Sequence, residues 1–510
     1  MKNYLQQFIE QNNPLWWSKK NQYIVITDRE RPESIISSAV TAAAIAKKFK
    51  LAPIVLSPCN NKVHTNLFRS FGIKKFITTF TLRKINFNLN YLKGFYYLFD
   101  FLIIYFSKKN FFEYLIDHYS LRKIKIGDLI YDTYVRYDLR FKNPKLDFFL
   151  LKVFYRTIVK TLNILDLINK YDIKYAVIST STYANDDSLM LRASLANGIK
   201  VIEPKSFEGF WTWNKNHVKF GKYNLFYQNK TDTLLKMQDI HKLNNFIKKR
   251  FQGNVETKYT AKKDIIISNK VEKIHNTEQF LKKLKIKKKY KKIILIAPHL
   301  FSDAPHGNGI KFLFRDYYDQ FVKTLEYVSL KNTEDCLWLL RPHPSSKFFG
   351  EIGIVNTALN RVNNHMLNIK LCSVDIVRTS DLVNFCDHVI TGKGNIGLEF
   401  AVKGKYAIIA GSSPYSGLNI SMEPKTQKEY FKILDQIVDL KKLTKKQTIR
   451  AKKIMYYLDK VDNLNFKVKK SFLAKNTNPF FTKALVRDVK RIGVENDVFY
   501  QSILKNFKFD

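Results

Sequence analysis

Apolar and polar positions along this chain alternate between two periods. A short apolar run at 23–27 ("YIVIT") has strand character; Ile36, Ala39, Val40 and Ala43 then share one helical face, and a second apolar run follows at 52–56 ("APIVL"). Strand, helix and strand with short connections predict a right-handed βαβ unit and a parallel sheet. The helix is expected to open within "DRERPES", at Ser34 after Pro32. The same grammar returns with a strand at 174–180, a helix at 188–198 ending on Gly198, and a strand at 199–203. Between the two pairs, about residues 85–170 form an aromatic, helix-rich insertion.

A second series is clearer still. Strands are expected at 293–297 ("IILIA"), 336–340 ("CLWLL"), 388–391 ("HVIT") and 406–410 ("YAIIA"). Helices are expected from the Phe314, Tyr318, Phe321, Leu325, Val328 face, from Ser380, and from "IGLEFAVKG" after the turn "GKGN". A helix near 276–284 closes the first domain, and eight lysines within 282–292 mark the boundary. The expected architecture is α/β: two Rossmann-like domains facing a cleft, 1–285 and 286–424, with a helical extension over 425–510. In that extension Ala451, Ile454, Met455 and Leu458 form one apolar face that packs back onto the body.

Length fits two large domains. No run approaches the 18–20 apolar residues of a spanning helix; the nearest, "GFYYLFDFLIIYF" at 94–106, carries Asp100 and reads as a buried or interfacial helix. With no signal-peptide pattern, the expected location is the cytoplasm, with peripheral attachment at the inner membrane face as an option. Cys59, Cys336, Cys372 and Cys386 show neither metal spacing nor a disulfide framework. The net charge of +43 has two readings. It can draw the chain to an anionic membrane surface, or it can reflect a composition rich in Lys, Asn, Ile, Phe and Tyr. No zinc-finger, basic-leucine or RNA-recognition signature is present, so nucleic acid is not an expected partner.

Chemistry should lie beyond the carboxyl ends of the strands. The strand 336–340 runs into Arg341-Pro-His343-Pro, where two prolines fix the backbone around two cationic side chains. Arg341 can present a fork to a phosphate, His343 a second donor, and Ser345 follows. Gly392 and Gly394 let a backbone approach a ligand closely, Lys393 adds charge, and the helix after Asn395 offers N–H groups. Glu399 can cap that helix or accept from ribose hydroxyls. Ser412, Ser413 and Tyr415 follow the last strand. Asp303 is a candidate general base or an Asx-turn residue, with His306 a weaker candidate for the same work. In the first half, Asp28, Arg29 and Tyr183 follow strands on the acceptor side, together with Asp132 and Arg136, whose spacing also fits a helical salt bridge. No metal motif is found, so no metal or other cofactor is expected.

Strand–Arg-Pro-His-Pro, the "GLE" turn at 397–399, and the Gly-Ser-X-Pro-Tyr loop resemble bacterial capsule and surface polysaccharide biosynthesis proteins. These are GT-B-type glycosyltransferases, and the capsular Kdo transferases are similar in pattern. "FSDAPH", "IGDLIYDTYVR" and "RASLANGIKVI" add to the likeness, which spans roughly 20–420 and is strongest over 293–417. The His-Pro pair also occurs in bacterial sialyltransferases and CDP-glycerol glycerophosphotransferases. The resemblance implies a nucleotide-sugar donor in the second domain. Arg341 and His343 would bind its phosphate, 392–395, Ser412 and Ser413 would support it, Glu399 would reach the ribose, and Asp303 would be the base. A polysaccharide or lipid-linked glycan acceptor would enter from the first domain. "GKGNIG" departs from the family's Ser/Thr-Gly turn and leaves the donor open. The implied activity is metal-independent, inverting glycosyl transfer from a nucleotide sugar such as CMP-Kdo. A nucleotide-sugar 2-epimerase, a CDP-glycerol-type transferase and a non-catalytic basic membrane-binding protein are the alternatives.

Overall fold

The computed structural model describes residues 4–28, 31–56, 61–80, 89–205, 207, 209–220, 240–252, 271–307, 312–331, 335–362, 368–460, 471–473 and 482–507. The chain divides into two compact units. Unit 1 comprises 1–134, 145–218 and 463–510; unit 2 comprises 135–144 and 219–462.

Unit 1 is built on the strands β1 (Gln22–Thr27), β2 (Ala52–Leu56), β3 (Phe76–Ile77), β6 (Asp172–Val177), β7 (Lys200–Pro204) and β8 (Phe210–Trp213), while β4 (Ser120–Leu121) and β5 (Ile124–Lys125) make a small hairpin apart. The sheet order is β3-β2-β1-β6-β7-β8, parallel throughout except that β8 runs antiparallel to β7. The helix Pro32–Phe49 is buried continuously from Ile35 to Ala46. That burial explains its Ala- and Ser-rich sequence, since small side chains allow close packing on all sides. It starts at Pro32 rather than Ser34, because proline at the first helical position needs no donor. The insertion holds the helices Leu89–Ser107, Phe111–His118, Gly127–Val135 and Phe148–Lys170.

Unit 2 has β9 (Lys292–Ile296), β10 (Cys336–Leu340), β11 (Ile369–Leu371), β12 (His388–Thr391) and β13 (Ala407–Ile409), all parallel in the order β11-β10-β9-β12-β13. Every residue of β10 and β12 is buried, as in a sheet covered on both faces. Both units are thus doubly wound, and the strand order reverses between β1 and β6 in one and between β9 and β12 in the other. The α/β, GT-B-like make-up read from the sequence is present as two such units.

The domain limits differ from the sequence reading. The helix Thr277–Lys283 belongs to unit 2, because Phe280 is buried in that core and stacks on Phe385 at 5.1 Å. The C-terminal extension is divided. Ala451, Ile454, Met455 and Leu458 enter the unit 2 core, whereas Leu485, Phe499 and Ile503 enter the core of unit 1. Residues 135–144 leave the insertion and join unit 2. Cys336, Cys372 and Cys386 are free, buried thiols; Cys59 lies outside the described residues.

Candidate active site

The reversal point of unit 2 is framed by the loops that leave β9 and β12. His299 follows β9, and its ring stacks on Tyr317 at 4.4 Å with a 21° interplanar angle. Tyr317 opens the helix Tyr317–Leu330, whose N-terminus is capped by Asp316 accepting from the Asp319 N–H. Lys393, after β12, reaches across to donate to the Ala304 carbonyl at 3.0 Å, and its ammonium lies 5.4 Å from the Tyr317 ring. Asp303 Oδ2 stands 3.6 Å from His299 Nδ1, and the His343 ring is 5.7 Å from that of His299. Burial pushes the His299 imidazole down to about 4, against the opposing pull of Asp303, with Lys393 and His343 adding to the depression. It is therefore neutral near pH 7.

Asp303 and His343 thus each lie beside His299. His343 Nδ1 accepts from the Ser345 backbone N–H at 3.2 Å, which puts the proton of a neutral ring on Nε2. Ser345 therefore orients the histidine through its backbone. His306 is tied to the Arg315 carbonyl through Nε2 at 2.7 Å.

Several other expected ligands have partners within the protein. Arg341 is buried, and its Nη1 donates to the Ser373 carbonyl and, at 3.4 Å, to that of Cys372. Burial lowers its pKa. The guanidinium thus joins the loops after β10 and β11, because a buried cation takes carbonyl partners where no carboxylate is at hand. Tyr415, fully buried, donates its hydroxyl to the Gly394 carbonyl at 2.8 Å and fixes the turn from beneath. Ser413 bonds within its own loop, its N–H to Ser416 Oγ at 2.9 Å, while Ser412 is half-buried. Glu399 neither caps nor stands open, for Oε1 accepts from Arg250 Nη2 at 2.9 Å. Gly392 is needed for packing: a Cβ there would lie 2.9 Å from Tyr317 ring carbons. Asn395 precedes the short helix Ile396–Ala401 with no side-chain cap bond.

On the first-half side, Arg136 belongs to unit 2. It donates to the Ser302 carbonyl at 3.2 Å and sits 4.5 Å over the Phe349 ring, bracing the loop after β9. Phe141, from the same ten-residue segment, packs on Phe301 and Tyr318. Glu351 completes the brace by accepting from the N–H groups of Phe301 and Ser302. Asp132 is buried in the helix Gly127–Val135 of unit 1. Tyr183 is half-buried with φ 63°. Arg29 lies outside the described residues.

The reversal point of unit 1 has the opposite character. Asp187 accepts from Thr27 Oγ1 and from the Ser179 N–H at 2.7 Å, so a carboxylate of the protein itself fills the junction of β1 and β6. Asp186 accepts from Thr79 Oγ1 at 2.8 Å and pairs with Lys160 at 2.9 Å. Asp28 lies 3.3 Å from His64 Nδ1. The unit 1 reversal point is thus lined by carboxylates, whereas Lys393, His299 and His343 stand at that of unit 2. Among the described residues no group of three His, Cys, Asp or Glu side chains could hold a metal ion, and no helix is long and apolar enough to cross a membrane.

His299 and Tyr317 escaped the sequence reading. The proline before His299, at the end of "IILIA", was the available signal, since it repeats the strand–Pro–His arrangement of 340–343.

No protein-family model and no curated protein matches the chain. Solved structures do. The complex of Staphylococcus aureus MnaA with UDP is 9% identical, covering 96% of this chain and 100% of that one at a TM-score of 0.27. The beta Kdo 2,7 transferase of Thermosulfurimonas dismutans KpsC is 13% identical, covering 57% and 79% at 0.30. The UDP-GlcNAc 2-epimerase of Neisseria meningitidis bound to UDP-GlcNAc is 11% identical, covering 86% and 99% at 0.25.

Proposed function

We infer that the chain is a nucleotide-sugar enzyme with its donor phosphates in unit 2, and that its reaction is glycosyl transfer in capsule or surface polysaccharide assembly. The observation that carries this reading is the pairing, beside one sheet reversal point, of two donors, the Lys393 ammonium and the His343 Nε2–H, with a neutral histidine beside a carboxylate, His299 with Asp303. Such a site offers both functions that metal-independent inverting transfer needs. His299, with the Asp303 carboxylate 3.6 Å from its Nδ1, takes the proton of an acceptor hydroxyl as that oxygen bonds to the anomeric carbon. The bond from that carbon to the phosphate oxygen breaks, its electron pair leaves with the nucleotide, and Lys393 with the His343 Nε2–H stabilises the departing phosphate. Arg341, Tyr415 and Arg136 hold the loops that carry these groups. The acceptor in this reading is a polysaccharide or lipid-linked glycan.

The test is a thermal-shift screen of wild type, His343→Ala and Lys393→Met against CMP, CDP, UDP, GDP and their sugar conjugates. A nucleotide that stabilises wild type but neither variant supports the reading and names the donor class for acceptor assays. Equal stabilisation of all three proteins would move the donor elsewhere, and no response at millimolar nucleotide would sink the reading.

A further inference from the structure

The helix Leu89–Ser107 is fixed to unit 1 by one face and leaves an apolar face outside. The inner face is closely fitted. A Cβ on Gly94 would lie 2.7 Å from Tyr155 and 2.8 Å from Val159 of the helix Phe148–Lys170. Phe101 packs on Phe154 with centroids 4.0 Å apart, Tyr155 donates to the Tyr91 carbonyl at 3.2 Å, and Asn90 donates to Asn163 at 2.8 Å. The helix therefore cannot roll to hide its other side.

That other side carries Leu92, Phe95, Tyr96, Phe99, Ile103 and Phe106, each at least 52% exposed. The positions recur at three and four residues, so they form one stripe along the helix, roughly 21 Å from first to last at 1.5 Å per residue. Here six exposed large hydrophobics are contiguous, and a patch of this kind marks a binding surface. Basic residues accompany it: Lys93 on the helix, exposed Lys108 and Lys109 just past its end, and exposed Lys152 and Arg156 on the helix that supports it. Asp100 is half-buried on its flank.

We propose that this stripe is the membrane-docking face of the protein, lying in the plane of an anionic bilayer with its aromatic and aliphatic side chains at the headgroup–acyl boundary. Charge selects this occupant over a second copy of the chain. A net charge of +43 opposes apposition of two copies and favours a surface of anionic lipid. An apolar face rich in Phe and Leu, bordered by lysines, is the composition of an interfacial helix. The assignment is independent of the reaction proposed above, and its failure would leave that reaction untouched.

The experiment is flotation of full-length wild type, Phe95→Glu/Phe99→Glu and Lys108→Glu/Lys109→Glu with vesicles of phosphatidylglycerol and phosphatidylcholine in equal parts, and with phosphatidylcholine alone. Circular dichroism melts of each protein confirm that the exposed substitutions leave the fold intact. Wild type should float with the anionic vesicles. The aromatic variant should partition about a hundredfold more weakly, and the lysine variant about tenfold more weakly. Undiminished binding by the folded aromatic variant would overturn the proposal, since surface charge alone would then recruit the lipid. So would a lipid-free dimer of wild type that Phe95→Glu/Phe99→Glu converts to monomer, because the stripe would then bind a second copy.

Discussion

The Tyr415 hydroxyl donates to the carbonyl of Gly394, so a residue of the loop after β13 holds the turn after β12. The same hydroxyl limits Gly397, where an added Cβ would collide with it and lie 3.0 Å from the Ala407 Cβ. Tyr415→Phe should lower unfolding free energy by about 1 kcal/mol, the net worth of one hydrogen bond, since the Gly394 carbonyl still accepts from the Gly397 N–H. Gly397→Ala should cost more, about 2–3 kcal/mol from overpacking. The double variant should cost less than the sum, because phenylalanine removes the colliding oxygen. Urea midpoints of the four proteins would check the cycle, and simple additivity would contradict the contact.

Arg341 should behave as a structural cation. Arg341→Met removes the donor to the Cys372 and Ser373 carbonyls and should cost about 2–4 kcal/mol in urea unfolding. A variant of unchanged stability that loses only nucleotide binding would instead make Arg341 a direct ligand.

His299→Gln and Asp303→Asn should each lower kcat by about 10²–10⁴-fold, the usual contribution of a positioned base, while nucleotide still raises Tm. Lys393→Met should lose the nucleotide response itself. Equal loss of nucleotide stabilisation in all three variants would show that His299 and Asp303 bind the donor rather than serve the acceptor.

Acid stability carries a signature of His388. Burial in β12 holds its pKa at about 4, against an ordinary value of 6.5. The unfolded chain binds the extra proton between those values, so this contribution is complete above pH 6.5 and is lost as pH falls toward 4. In His388→Phe that dependence disappears. Relative to wild type, the variant's urea midpoint should therefore rise as pH falls through this window, and a constant difference would show that His388 protonates equally in both states.

Local pattern made much of both sheets readable. The strands at 52–56, 336–340 and 388–391 have the expected limits because their apolar runs end at proline, glycine or charge. β8 and β11 lacked that contrast, and β3 is only two residues long. The Arg-Pro-His-Pro loop and Asp303 stood out as polar groups at strand ends, but which of them turn inward depended on distant partners. Glu399 meets Arg250 across 149 positions, and Arg341 meets Ser373 across 32. His299 gains its meaning only when β9 and β12 become neighbours, which is a fact of crossover topology rather than of local sequence. The first domain limit failed for a similar reason: the lysine run is conspicuous, but Phe280 has its aromatic partner at Phe385.

The split membership of the C-terminal extension bears on how the chain is made. Helix Val498–Asn506 lies on helix Pro32–Phe49, and Lys48 Nζ donates to the Phe507 carbonyl at 2.7 Å. These last residues close an apolar core whose strands leave the ribosome first. All of 219–462 emerges in between, so unit 2 is complete while unit 1 still lacks part of its cover. The order of completion thus reverses the order of synthesis, and a nascent chain carries an open hydrophobic face, a natural client for chaperones, until residues 482–507 have emerged.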